Sequence, residues 1–299
     1  MNEIHLSYVL TTRNKLLYLK EGMKHLLENL QADEEIVVVD SASTDGTTDY
    51  LKTLYEQGKI HQFISEPDIG EGHGYNKCFL MARGALIKTI SDDDVFFYPG
   101  IQACKQFMLA NPDIDILGTE GSGGGESPPP YKITYLKAYQ DWKDYGQAFE
   151  FGNPGIMLRR QSLPLLGLFD VNYLAIDREY TYRATAGRAN VAWFTQICWV
   201  HVVNPTSNSR SLKRMKQDVI KLLLFYKIEH PLKIRMQFLM ADVMQLRGKL
   251  VNYIKQNFPF LNKKKTINKT YGPEEYFPLL QQWLDEQNTQ ATRDFLYKE

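Results

Sequence analysis

Apolar and polar positions along the first hundred residues follow two alternating rhythms. Leu6-Ser7-Tyr8-Val9-Leu10 is a short, nearly continuous apolar run, the pattern of a strand covered on both faces. Leu19, Met23, Leu26, Leu27 and Leu30 then recur at helical spacing within residues 16–30. Glu35-Ile36-Val37-Val38-Val39 is β-branched and reads as a second strand. The turn from Asp40 to Gly46 leads into a predicted helix over residues 47–57. A strand at 60–64, a loop Gly70-Glu71-Gly72-His73-Gly74, a helix at 75–82 and a strand at 85–90 complete the series. Strand and helix in alternation predict an α/β fold, a Rossmann-like, mostly parallel sheet flanked by helices. Ligands of such sheets bind beyond the carboxyl ends of the strands. Asp40 and Asp92-Asp93-Asp94 both stand at such ends, so both are expected to face one cleft.

The second half is less regular. A helix is expected after Pro99-Gly100, a strand at 114–117, helix around Asp177-Arg178-Glu179 and a strand at 191–202. Between them, Gly121 to Pro130 reads either as a plain linker or as a mobile substrate loop. Beyond Asn204-Pro205 the chain becomes basic and helical. The expected division is a domain over 1–205, itself split into halves at 1–100 and 101–205, with a helical C-terminal extension over 206–299.

Charge sharpens this division. The 299 residues carry no net formal charge, yet residues 210–269 hold fifteen Lys or Arg against three acids. That segment is +12 and the remainder −12, which implies a basic surface that meets something anionic. The three cysteines, Cys78, Cys104 and Cys198, form no CxxC pair; a structural zinc site is not expected, and buried free thiols in a reducing compartment are. The N-terminus lacks a basic patch followed by an apolar run, and no apolar run approaches the roughly 18 residues of a membrane span. The expected location is cytoplasmic, peripheral at the inner face of the membrane if the basic segment binds lipid.

Three consecutive carboxylates at a strand end are the main candidate chemistry. Packed like charges repel and resist desolvation, and a hard cation such as Mg²⁺ or Mn²⁺ relieves both. A solvated acidic turn is the plain alternative. The glycine-rich stretch tempts toward dinucleotide binding and fails: from Gly70 or Gly72 a GxGxxG match needs glycine at Tyr75 or Lys77. No Walker lysine-serine pair is present.

Several segments together resemble family 2 glycosyltransferases. These are Ser7 to Asn14, Val37 to Thr47, Pro67-Asp68-Ile69-Gly70 with Asn76 and Gly84, Asp92-x-Asp94 followed by Pro99-Gly100, and Gly167-Leu168-Phe169-Asp170 with Asp177 and Arg183. The likeness runs over about residues 5–205. It implies a GT-A fold and transfer of a sugar from a nucleotide diphosphate, a UDP-sugar being the first expectation, with Mn²⁺ or Mg²⁺. By the same resemblance residues 1–100 are the nucleotide-binding half and 101–205 the acceptor half. Asp40 is placed at the base, with Ser41 where many members have a second acid. Asp92 and Asp93 are placed at the ribose and diphosphate, Asp94 as metal ligand with Asp92, and Thr12 and Asp68 on the donor side. Asp177 is the implied general base, which makes the transfer inverting. His201 is either structural or a further metal ligand, and His73 either a loop residue or a contact to the donor sugar. Trp142, Tyr145 and Trp193 are core or rim, or stack on an acceptor.

The acceptor implied is a sugar or a lipid-linked glycan, in polysaccharide or glycoconjugate biosynthesis. Leu232, Met236, Leu239, Val243, Leu246, Leu250 and Tyr253 recur at helical spacing among lysines and arginines. That helix either packs its stripe on the catalytic domain or rests on an anionic membrane, with Lys263-Lys264-Lys265 assisting. No nucleic-acid motif is present. Two other classes stay open at this point: a sugar-phosphate nucleotidyltransferase and a non-catalytic sugar-binding domain.

Overall fold

The computed structural model describes residues 3–123, 130–187, 189–202, 204, 212–228, 272–290 and 292–297, with Leu232, Met236, Leu239 and Met240 besides. Four parallel strands build the N-terminal half of one sheet: β1 (Leu6–Thr12), β2 (Glu34–Asp40), β3 (Gln62–Ser65) and β4 (Leu86–Ile90), in the order β3-β2-β1-β4. Their crossovers are α1 (Leu16–Asn29), α2 (Thr47–Glu56) and α3 (Glu71–Met81). Residues alternate between faces along each strand. Leu6, Tyr8, Leu10, Ile36 and Val38 pack with Leu19, Met23 and Leu26 of α1 on one side. Val9, Val37 and Val39 pack with Tyr75, Cys78 and Phe79 of α3 on the other. Two covered faces explain why the strands read as continuous apolar runs.

The second half is mixed rather than parallel. After β5 (Val95–Phe96) and α4 (Tyr98–Ala110), β6 (Ile116–Gly123) runs on through glycines that the composition suggested were flexible. Gly121–Gly123 pair with β7 (Tyr131–Ile133); residues 124–129 lie outside the described residues. The element α5 (Leu136–Tyr145) follows, then a 3₁₀ turn Asn153–Gly155 and β8 (Met157–Arg159). This strand inserts antiparallel between β4 and β6. A short α6 (Leu163–Leu166), α7 (Ile176–Ala186) and β9 (Val191–His201) come next, β9 pairing parallel with β6. The helix expected around Asp177-Arg178-Glu179 is α7.

Described parts of the C-terminal region pack against the first domain. After α8 (Leu212–Phe225), α9 (Pro273–Gln290) lays Tyr276, Phe277, Leu280 and Leu284 on Val95, Ile197, Val200 and Val202. The last strand, β10 (Phe295–Leu296), then adds to the sheet beside β9. Helix α9 and strand β10 therefore share the core of the first domain. Most of the predicted basic helix, including Lys263-Lys264-Lys265, lies outside the described residues. All three cysteines are free and buried. Among the described residues no helix is long and apolar enough to cross a membrane.

Candidate active site

Because β1 and β4 are adjacent and parallel, their carboxyl ends come together. Thr12 Oγ1 donates to Asp92 Oδ2 at 2.7 Å. Lys15, three residues past β1, donates to Asp93 Oδ2 at 2.7 Å, and Asn204 Nδ2 donates to the same oxygen. Asp94 turns under the end of β9. It accepts the Ser91 hydroxyl at 2.5 Å and the Val202 N–H at 3.0 Å, and His201 Nδ1 stands 3.0 Å away.

These contacts divide the carboxylates electrostatically. Burial, then the charge of Asp93, push Asp92 well above the usual carboxylate range. Burial and Asp94 push Asp93 up, with Lys15 pulling back. Burial also acts on Asp94, but His201, Ser91 and the Val202 N–H outweigh it and hold this carboxyl below its ordinary value. In return Asp94 lifts His201 to about 9, so the ring is an imidazolium at neutral pH. To ligate a metal it would first have to release that proton.

A cavity of about 540 Å³ opens over these strand ends, lined by Thr12, Lys15, Ser41, Asp68, Asp92–Asp94, Asn153, Asp177 and His201. Asp177 sits at the start of α7, its Oδ1 accepting the Arg178 N–H at 2.9 Å. The Arg178 side chain turns instead to Glu150, 3.3 Å away, so among the described residues Asp177 has no ion-pair partner.

The fit to a divalent cation follows from the donor set. Asp92 and Asp94 offer hard oxygens at the cavity. Among the described residues no group of three His, Cys, Asp or Glu side chains is placed to hold a metal ion, so His201 does not join Asp92 and Asp94 in one. Mg²⁺ and Mn²⁺ need none when one or two carboxylates share them with substrate phosphates and water. The residues therefore fit the open mode of binding.

Asp40 is placed differently from its expected neighbours. It is fully buried, off the cavity wall, and accepts four hydrogen bonds: Ser43 N–H, Ser43 Oγ, Thr48 Oγ1 and Ser65 Oγ. It closes the turn after β2, and Ser41 is the residue on the wall. The glycine-rich loop is the first turn of α3. A Cβ at Gly74 would stand 2.0 Å from Thr11 Oγ1, so glycine there lets helix and strand approach. His73 is not on the wall; Trp193 is buried and bonded to Glu120, Trp142 donates to the Thr185 carbonyl, and Tyr145 is exposed. Sequence reasoning missed Lys15, Asn153 and Met215, all on the wall. Lys15 was within reach of the strand-end rule; the other two come from elements with no local signal.

The chain belongs to glycosyl transferase family 2, whose family model matches residues 7–164. An uncharacterised glycosyltransferase of Nostoc sp. is 32% identical over 93 residues, 30% of this chain and 29% of that protein. The match thus spans less than a third of that relative. Among solved structures, S. aureus TarS 1–349 in complex with UDP-GlcNAc is similar with a TM-score of 0.58 at 16% identity, over 74% of this chain and 66% of that one. The mannosyltransferase PcManGT from Pyrobaculum calidifontis, in complex with GDP-Man and Mn²⁺, gives 0.57 at 16% identity, over 97% and 87%. At these identities the likeness establishes the GT-A fold.

Proposed function

We propose that this chain transfers a sugar from a nucleotide-diphosphate donor to an acceptor hydroxyl, with inversion, in the synthesis of a polysaccharide or glycoconjugate. The observation that carries this is that Asp92–Asp94 and Asp177 line one cavity. The acceptor oxygen attacks the anomeric carbon and its proton passes to Asp177. The bond to the diphosphate breaks on the opposite side, and the electron pair leaves with the diphosphate. A Mn²⁺ or Mg²⁺ ion held by Asp94 and Asp92 would neutralise charge on that leaving group. Thr12 fixes Asp92, and Lys15 with Asn204 fixes Asp93, so the turn is shaped before the donor arrives. Ser41 and Asp68 line the donor side, and Asp40 supports Ser41 from beneath; a UDP-sugar is our first choice of donor.

Thermal shifts with UDP, GDP, CDP and dTDP, each with and without Mn²⁺, test the reading. Saturation at a hundredfold excess over Kd adds about 2.7 kcal/mol. A metal-dependent shift with one nucleotide is expected; no shift with any refutes the donor reading.

The acceptor side includes an anionic membrane surface in this proposal. Leu232, Met236, Leu239 and Met240 are each at least 60% exposed, at helical spacing within the basic segment. Salt-sensitive co-sedimentation with anionic vesicles is expected, and its absence removes the membrane from the proposal.

A further inference from the structure

We infer that Asn153 reads the sugar being transferred, an inference that rests on the donor reading above. Asn153 opens the 3₁₀ turn Asn153–Gly155 and lines the cavity, with a relative exposure of 6%. Its Oδ1 is shut from water and has no donor. No hydrogen bond of its Nδ2 is made within the described residues. Buried polar side chains are nearly always bonded, so an unpartnered carboxamide on a cavity wall calls for a ligand.

The turn is held from beneath by an uncommon device. Lys88, in the middle of β4, is wholly buried, and its Nζ donates to the carbonyls of Thr89 at 2.7 Å, Pro154 at 2.5 Å and Ile156 at 3.3 Å. Thr89 Oγ1 donates to the Asn153 carbonyl at 2.5 Å. Burial lowers the Lys88 pKa to about 7; a buried amine is tolerated only when its donors are met, and here they are spent on fastening this turn and its strand. Both anchors lie on the strand that delivers Asp92–Asp94. The place of Asn153 relative to the carboxylates is therefore fixed by β4.

That place is where a sugar must lie. The diphosphate belongs at Asp92–Asp94 and the acceptor proton at Asp177, so the anomeric carbon sits between them. Asn153 shares the cavity with both. The Nδ2 end of the carboxamide is not shut from water as Oδ1 is, and it donates, which matches a ring hydroxyl oxygen or the carbonyl of an acetamido group.

The test compares wild-type chain and Asn153→Ala by calorimetry with Mn²⁺ present, titrating UDP, UDP-glucose, UDP-N-acetylglucosamine, GDP and GDP-mannose. The variant is expected to bind the preferred sugar nucleotide about three- to tenfold more weakly. Its affinity for the matching bare nucleotide stays within twofold. If alanine disturbs the turn, as a melting curve would reveal, the near-isosteric and uncharged Asn153→Leu replaces it, with the same selective loss expected. Unchanged sugar-nucleotide affinity, or equal weakening of both ligands, overturns the inference alone. A wild-type chain that binds none of these nucleotides overturns the donor reading and this inference with it.

Discussion

Asp40→Asn separates a structural carboxylate from a ligand-binding one. The Asp40 carboxylate has no exposed surface and takes four donors, from Ser43 twice, Thr48 and Ser65. Hydrogen bonds to a charged group contribute about 1.5–3 kcal/mol and neutral ones about 0.5–1.5. The amide keeps one oxygen, loses the charge and turns a second acceptor into a donor. With partial rearrangement of the hydroxyls, the loss comes to about 2–4 kcal/mol. For a chain of this size that lowers Tm by about 3–6 °C. Calorimetry well below the transition, where the variant is folded, is expected to give a nucleotide affinity close to wild type. Ser41→Ala is the complement: Ser41 lines the cavity, so nucleotide binding weakens while Tm holds. An Asp40→Asn variant with wild-type Tm and lost nucleotide binding would show that the carboxylate serves the ligand, and the argument from its four donors would fall.

Asp177→Asn should keep Tm and donor binding and lose transfer by at least a hundredfold, since only the proton acceptor is removed; near-normal turnover would take the base role from Asp177. Glu35 is shut from solvent: burial alone would raise its carboxyl, but bonds from Ser7, the Arg83 backbone and guanidinium, and Gln62 hold it below the usual value. A depressed carboxyl contributes stability above its unfolded pKa, about 4.5, and loses it as pH falls through the folded value. The gap in urea-measured stability between wild type and Glu35→Gln should therefore be full at neutral pH and narrow below about pH 4.5; a gap that widens in acid refutes this. A Cβ at Gly84 would stand 2.6–2.8 Å from backbone atoms of Ser7, Leu6 and Leu86, whereas one at Gly22 meets nothing within 4 Å. Gly84→Ala should destabilise by about 1–3 kcal/mol, and Gly22→Ala, inside α1, should stabilise by about 0.5–1 kcal/mol; the same effect from both would contradict the packing argument.

Local chemistry along the chain determined the strands, the crossover helices and the position of the aspartate triplet at a strand end. β-branched runs such as Val37-Val38-Val39 specify a strand buried on both faces whatever lies far away in sequence. The family resemblance, carried by short motifs in order, lay in the same local segments. Tertiary structure decided which way each polar group turns. Asp40 and Asp92 both follow parallel strands, yet the hydroxyls of Ser43, Thr48 and Ser65 draw one inward while the other meets Thr12 at the cavity. Nothing local marks the pairing of Asp94 with His201, 107 residues away, nor the fastening of the Asn153 turn by Lys88. The last strand, β10, closes on β9 only because the sheet edge is already there to receive it. Periodicity reports which face of an element is covered; it carries no record of which distant donor will stand opposite a given oxygen, and that is what makes the site.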